Sequence, residues 1–257
     1  MNDTEKNLIL LSSPQIKSRL LKLIESTQKR LEKHNIPYTI FYGTLLGAVR
    51  HKGFIPWDDD IDVIIDAKYI DKLKAIFSAS NVEYYDSISN ENYFDWVIRI
   101  SDPETIVKVN EDCHQANTQD FTANNLGLCI DIYPYYHIPS NYILRKITLL
   151  MHKVSGKIRS RAASSRSTYL KKVANTFDSI LGKVKGSDII TKADYSVTYP
   201  YNDLIDVQPA KFEHLSFDIP KDSAKILKIR YGDWEKLPTE EEKASWIHYE
   251  NTYLIEP

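Results

Sequence analysis

The chain has 257 residues, 42% apolar and 26% charged, enough for one sizeable core or two small ones and unlike a disordered or collagen-like chain. Lys+Arg 33 against Asp+Glu 35 leaves a formal charge of −2, which excludes a protein that coats nucleic acid wholesale. Two cysteines, Cys113 and Cys129, cannot build a disulfide framework or a four-thiolate zinc site; with acids at residues 1–6 and no apolar run near ~18–20 residues, a cytoplasmic protein with free thiols is expected.

Ser13-Pro14 opens an amphipathic helix over residues 14–34, with Ile16, Leu20, Leu23, Ile24 and Leu31 at helical spacing. A short strand follows at 38–42, a break at Gly43-Thr44, a short helix at 45–51, a buried strand at 61–65 and a helix at 67–79. Further strands are expected at 82–85, 96–101, 105–109 and 128–133, an edge strand at 212–219, and a helix at 223–231 stopped by Gly232. Between them, residues 141–180 read as mainly helical and basic. Residues 141–185 hold eleven bases and one acid, Asp178, a net +10 against −12 for the remainder. The expected fold is α+β: one domain over residues 1–257, a mixed sheet with flanking helices, with 141–185 a basic helical insertion.

The chemistry concentrates in residues 42–63, above all Asp58-Asp59-Asp60-Ile61-Asp62. Four carboxylates in five positions repel one another unless a cation or protons neutralise them. If the segment is extended, Asp58, Asp60 and Asp62 share one face at ~6.5–7 Å per two residues, a spacing that lets carboxylates bracket a divalent cation. A solvated acidic turn fits poorly, since Trp57 precedes the acids and Val63-Ile64-Ile65 follows them. A calcium loop counted from Asp58 fails, with Val63 where glycine is needed and Tyr69 where glutamate is needed. Hard oxygen ligands point to Mg²⁺ or Mn²⁺. The seven histidines show no zinc-ligand spacing. Gly43-Thr44 at a strand-to-helix turn offers an anion site beside those acids, and Arg50, His51 and Lys52 add positive charge. Asp131, between Ile130 and Ile132, is a buried strand carboxylate fit to be a third metal ligand.

Glycine-threonine at such a turn, two aspartates one residue apart and a later third aspartate resemble the nucleotidyltransferase superfamily. The wording of residues 43–50 and 55–62, Ile130-Asp131-Ile132-Tyr133-Pro134, and Tyr231-Gly232-Asp233-Trp234 resembles the LicD/fukutin family within it. The resemblance implies transfer of a phospho-alcohol (choline, ethanolamine, glycerol or ribitol phosphate) from a CDP-alcohol to a glycan such as teichoic acid, capsule or lipopolysaccharide precursor, releasing CMP. It implies that Asp60, Asp62 and Asp131 bind the metal, that Asp131 can serve as base, and that Asp58 joins or supports them. Trp57, Tyr231 and Asp233 become candidate substrate contacts, and Arg50 and Arg99 candidate phosphate partners, with a structural ion pair the equal alternative for Arg99. The two cysteines leave no zinc site like that of the eukaryotic branch, so the bacterial branch fits better. The competing readings are a nucleotidyltransferase that leaves NMP on its target and a non-catalytic nucleotide-binding protein. Trp57, Trp96, Trp234 and Trp246 could face a choline cation. The partners expected are the CDP-alcohol, a lipid-linked glycan and, through 141–185, an anionic membrane surface, with no nucleic acid.

Overall fold

The computed structural model describes residues 8–78, 80–110, 126–244 and 246–256. Residues 1–6, Ala79, Cys113 and His114, which figure in the expectations above, lie outside them.

In chain order, strand β1 (Leu8–Leu10) leads into helix α1 (Ser13–Lys33), then β2 (Tyr38–Ile40), α2 (Tyr42–Arg50), β3 (Ile61–Asp66) and α3 (Ile70–Phe77). There follow β4 (Glu83–Tyr85), β5 (Ile98–Ser101), β6 (Thr105–Val109) and β7 (Cys129–Ile138), and then the helices α4 (Tyr142–Ser165) and α5 (Thr168–Leu181). The remainder comprises β8 (Asp188–Thr191), β9 (Tyr199–Pro200), α6 (Tyr201–Ile205), β10 (Val207–Phe212), β11 (Leu215–Pro220), α7 (Ser223–Tyr231), α8 (Glu240–Ala244) and β12 (Tyr249–Ile255). The fold is a mixed α+β arrangement.

The central sheet runs β2-β3-β7-β5-β4, and β8 joins the far half of β7 and carries β9 on its other edge. Among the described residues only β3 and β7 pair in parallel, with Asp62 directly opposite Asp131; on the other edge of β7, Arg99 lies opposite the same Asp131. Every residue of β3 is buried, so Asp62 and Asp66 face inward between Ile61, Val63, Ile64 and Ile65. Leu20, Ile24 and Leu31 of α1 bury completely into the main core, at the helical spacing the sequence displays. A second sheet, β1-β12-β6, brings the C-terminal strand beside the site.

Several boundaries move for local reasons. The backbone amide of Ser12, one residue before the expected cap, donates to Gln15 Oε1 at 2.8 Å, so α1 starts at Ser13. Helix α2 starts at Tyr42, which sits at φ 43, so Gly43 and Thr44 belong to its first turn rather than to a break. The expected edge strand at 212–219 is one half of the β10–β11 hairpin; the turn at Glu213, φ 54, uses no glycine and was invisible to composition. Arg166, φ 50, ends α4, and the Ser167 hydroxyl caps α5, dividing what reads as one basic helical stretch.

The α4–α5 hairpin is an excursion between β7 and β8, which pair antiparallel with each other. Its charge is partly internal. Arg145 pairs with Asp188, Lys171 donates to the carbonyls of Asn90, Glu91 and Tyr93, and Arg159 and Lys192 both grip Asp178. Burial alone raises the Asp178 carboxyl, but Lys192 and Arg159 override it and hold it at about 2. Because that value lies below the unfolded one, the contribution is present above pH ~4 and disappears as pH falls toward 2. Asp178→Asn is therefore expected to be less stable than the parent at pH 7 by about 2 kcal/mol, with the gap closing between pH 4 and pH 2 in urea titrations. A gap that stays constant across that window contradicts the pairing.

Candidate active site

The turn from β2 into α2 is built around Asp62. Its backbone N–H donates to Thr44 Oγ1 at 2.8 Å, its carbonyl receives the Phe41 N–H at 3.0 Å, and its carboxylate accepts from the Gly43 N–H at 3.2 Å. The polar groups at the start of α2 are thus turned onto Asp62 rather than standing open for a phosphate. Tyr42 holds the left-handed backbone that aims the Gly43 amide there, a strained conformation for a residue with a side chain.

Asp58, Asp60 and Asp62 all line one cavity of about 670 Å³. Burial is the main cause that pushes each of the three carboxyls above the usual carboxylate range, and repulsion from neighbouring carboxylates, Asp59 and Asp131 in the case of Asp60, adds to it. His248, just ahead of β12, comes against them: its Nδ1 lies 3.0 Å from Asp59 Oδ1 and 3.5 Å from Asp60 Oδ2. Asp59 also accepts the backbone N–H groups of His248 and Tyr249, so it ties the loop to the C-terminal strand and does not line the cavity.

These residues fit a divalent cation. One ligand atom each from Asp58, Asp59, Asp60 and His248 lies within 4.8 Å of the others, and buried like charges need such a neutraliser. The cradle is also open where it must be: a Cβ on Gly43 falls 2.9 Å from Asp58 Oδ2. Gly43→Ala is expected to spare the fold, since only a carboxylate end must move, yet to weaken Mn²⁺ binding about tenfold by titration calorimetry. Gly47→Ala, whose Cβ meets the Gly53 carbonyl at 2.5 Å, is expected to lower the melting temperature instead.

Asp131 and Arg99 are paired with each other, the ion-pair reading of Arg99. The Asp131 carboxylate is clamped by Arg99, Nε to Oδ1 at 3.0 Å, and is not part of the cavity wall. Arg99 is fully buried and also holds Asp95 at 3.2 Å and the Tyr93 hydroxyl at 2.9 Å. Its position behind Asp131, with no solvent exposure, removes it as a phosphate contact. The remaining candidates divide. Arg50, Trp57, Tyr231 and Asp233 line the cavity; His51 lies off it, accepting from Arg50 Nε at 3.0 Å, while Arg50 NH1 donates to the Trp234 carbonyl. Burial, with Arg50 and Lys17 nearby, lowers the His51 imidazole.

The four tryptophans named from the sequence as possible faces for a cation, Trp57, Trp96, Trp234 and Trp246, come together in this cavity with Tyr42 and Tyr133. The Lys243 ammonium sits 4.7 Å from the Trp57 ring centre, a cation already on one of those faces. Arg230, stacked between Tyr42 and Tyr231, and Lys236 supply positive charge. Neither Arg230 nor His248 stood in a motif, so sequence reasoning missed both.

Residues 35–162 match the family described as LicD/FKTN/FKRP, nucleotidyltransferase domain. The chain is 25% identical to the lipopolysaccharide cholinephosphotransferase LicD of Haemophilus influenzae, over 91% of this chain and 95% of that protein. It is also 28% identical to the ribitol 5-phosphate transferase FKRP of mouse and of human, over 48% of this chain and 21% of theirs.

Proposed function

We propose that this chain, whose residues 35–162 match the LicD/FKTN/FKRP nucleotidyltransferase domain, is a transferase that moves a phospho-alcohol from a CDP-alcohol to a hydroxyl of a lipid-linked glycan. The observation that carries this reading is one cavity lined by three carboxylates, Asp58 and the buried Asp60 and Asp62, together with tryptophans, Arg50, Arg230 and Lys236. Carboxylates this close need a cation, and the bases that share their cavity suit a diphosphate. Mg²⁺ or Mn²⁺, when bound, neutralises charge developing on the phosphates.

The chain's own residues supply the rest. Asp58, Asp60 and His248 would hold the metal with Asp62 beside them, and Asp131, fixed by Arg99, would support Asp62 from the adjacent strand. Arg50 and Arg230 orient the donor phosphates. The acceptor oxygen bonds to the alcohol-bearing phosphorus, the phosphoanhydride bond to CMP breaks, and the acceptor proton passes to a carboxylate of the cluster. The aromatic lining favours phosphocholine as cargo over the neutral alcohols, since a trimethylammonium group is attracted to ring faces.

CMP release from CDP-choline, CDP-ethanolamine, CDP-glycerol and CDP-ribitol, with and without Mg²⁺, tests the reading. Mg²⁺-dependent release led by CDP-choline is expected, about tenfold over CDP-glycerol. NMP found attached to the acceptor, or nucleotide binding without CMP release, overturns it.

A further inference from the structure

Helix α4 carries its amphipathicity inside out. The stripe it buries is Thr148, His152, Ser155, Arg159 and Ala162, four of them polar. Thr148 donates to the Leu144 carbonyl, Ser155 and Arg159 bond Asp178, and burial lowers His152 to about 4 and keeps it neutral, with neither ring nitrogen hydrogen-bonded among the described residues. The apolar stripe, Ile143, Ile147, Leu150 and Val154, faces outward with exposures from 37% to 67%. A helix on the surface of a water-soluble domain ordinarily does the reverse. The row follows a spacing of four, three and four residues, so it is one continuous ridge about 16 Å long at 1.5 Å per residue.

A second row lies beside it. Lys146, Lys153 and Lys157 are exposed at steps of seven and four residues along the same outward face, continued four residues on by Arg161. The only acid between residues 141 and 185, Asp178, is shut inside the hairpin by Arg159 and Lys192. The exposed surface of α4 and α5 therefore presents cations and apolar side chains and no carboxylate of its own.

We propose that this face of α4 docks on an anionic lipid bilayer, with the isoleucine–leucine–valine ridge at the level of the headgroups and the lysine row against lipid phosphates. The charge decides between occupants. A protein groove or a second copy of this chain would cover the apolar ridge equally well. A row of cations parallel to the ridge, with no acid to balance it, matches a laterally extended negative surface. No helix among the described residues is long and apolar enough to cross a membrane, so the contact would be peripheral.

Vesicle flotation of the ligand-free protein tests this, using phosphatidylcholine alone and phosphatidylcholine mixed with phosphatidylglycerol. Binding at least tenfold tighter to the mixed vesicles is expected, weakening as salt rises. K146E/K153E/K157E is expected to lose at least tenfold in that binding, and I147S/L150S to lose it comparably, both with unchanged circular dichroism. Equal partition onto both vesicle types, or none, overturns the proposal. So does a dimer by light scattering that I147S/L150S dissociates. No substrate is present, so failure here leaves the catalytic reading untouched, and failure of that reading leaves this result standing.

Discussion

Asp62→Asn is expected to reduce CMP release about a thousandfold while raising the melting temperature of the metal-free protein. The rate loss follows from removing a carboxylate charge beside the metal where phosphate charge develops, a contribution of about 4 kcal/mol to the barrier. The gain in stability follows from the ground state. Asp62 is buried among Asp60, Asp131 and Asp58, and burial together with their charges pushes its carboxyl well above the ordinary range. Asparagine keeps the shape and can still accept the Gly43 N–H through its carbonyl, but it carries no charge to repel its neighbours. Relief of about 1 kcal/mol corresponds to a rise of ~2–4 °C. Saturating Mn²⁺ is expected to stabilise the parent by more than 1 kcal/mol at tenfold over its dissociation constant, and the variant by much less. Asp60→Asn is expected to behave alike in rate. Parent-like turnover in either variant, or a melting temperature that falls in Asp62→Asn, contradicts the assignment.

Arg99→Leu is expected to be the most destabilising single substitution near the site. In the parent, burial alone would lower the Arg99 guanidinium, yet Asp131, Tyr93 and Asp95 outweigh it and raise it well above its usual value. Leucine fills similar space but leaves two buried carboxylates, Asp95 and Asp131, without their cation. Breaking such a group costs about 3–5 kcal/mol, or a fall of roughly 6–20 °C in a chain of this size. Activity should fall with it, because Asp131 then turns toward the aspartate cluster it now backs. The double variant R99L/D95N removes one of the orphaned charges and is expected to recover part of the loss in urea unfolding. If the double variant is as unstable as R99L, shape and not charge is what Arg99 supplies.

Much of this protein is written locally along its chain. The stripe of Leu20, Leu23, Ile24 and Leu31 fixes the buried face of α1, and Ile61 through Ile65 fixes a strand buried on both sides. The helix at 223–231 and its stop at Gly232 are read correctly to the residue, because cap, period and left-handed glycine act within a few positions of one another. The aspartate cluster is equally legible: like charges running into an apolar strand demand a partner whatever the fold.

What only the tertiary structure decided concerns groups that meet across elements. His248 reaches Asp59 over 189 positions, joined by the second sheet, and four tryptophans from separate loops line one cavity. Arg99 looks like an arginine available for phosphate until the register of β5 on β7 sets it opposite Asp131 and buries it. The α4 stretch shows the same limit in another form. Its composition reveals apolar and basic residues together, but which stripe turns inward depends on Asp178 of α5 and Lys192 past β8. Periodicity along a chain records how one element could present its faces. Which face is buried is settled by the charges and side chains that other elements bring to meet it, and those are chosen when the chain closes on itself.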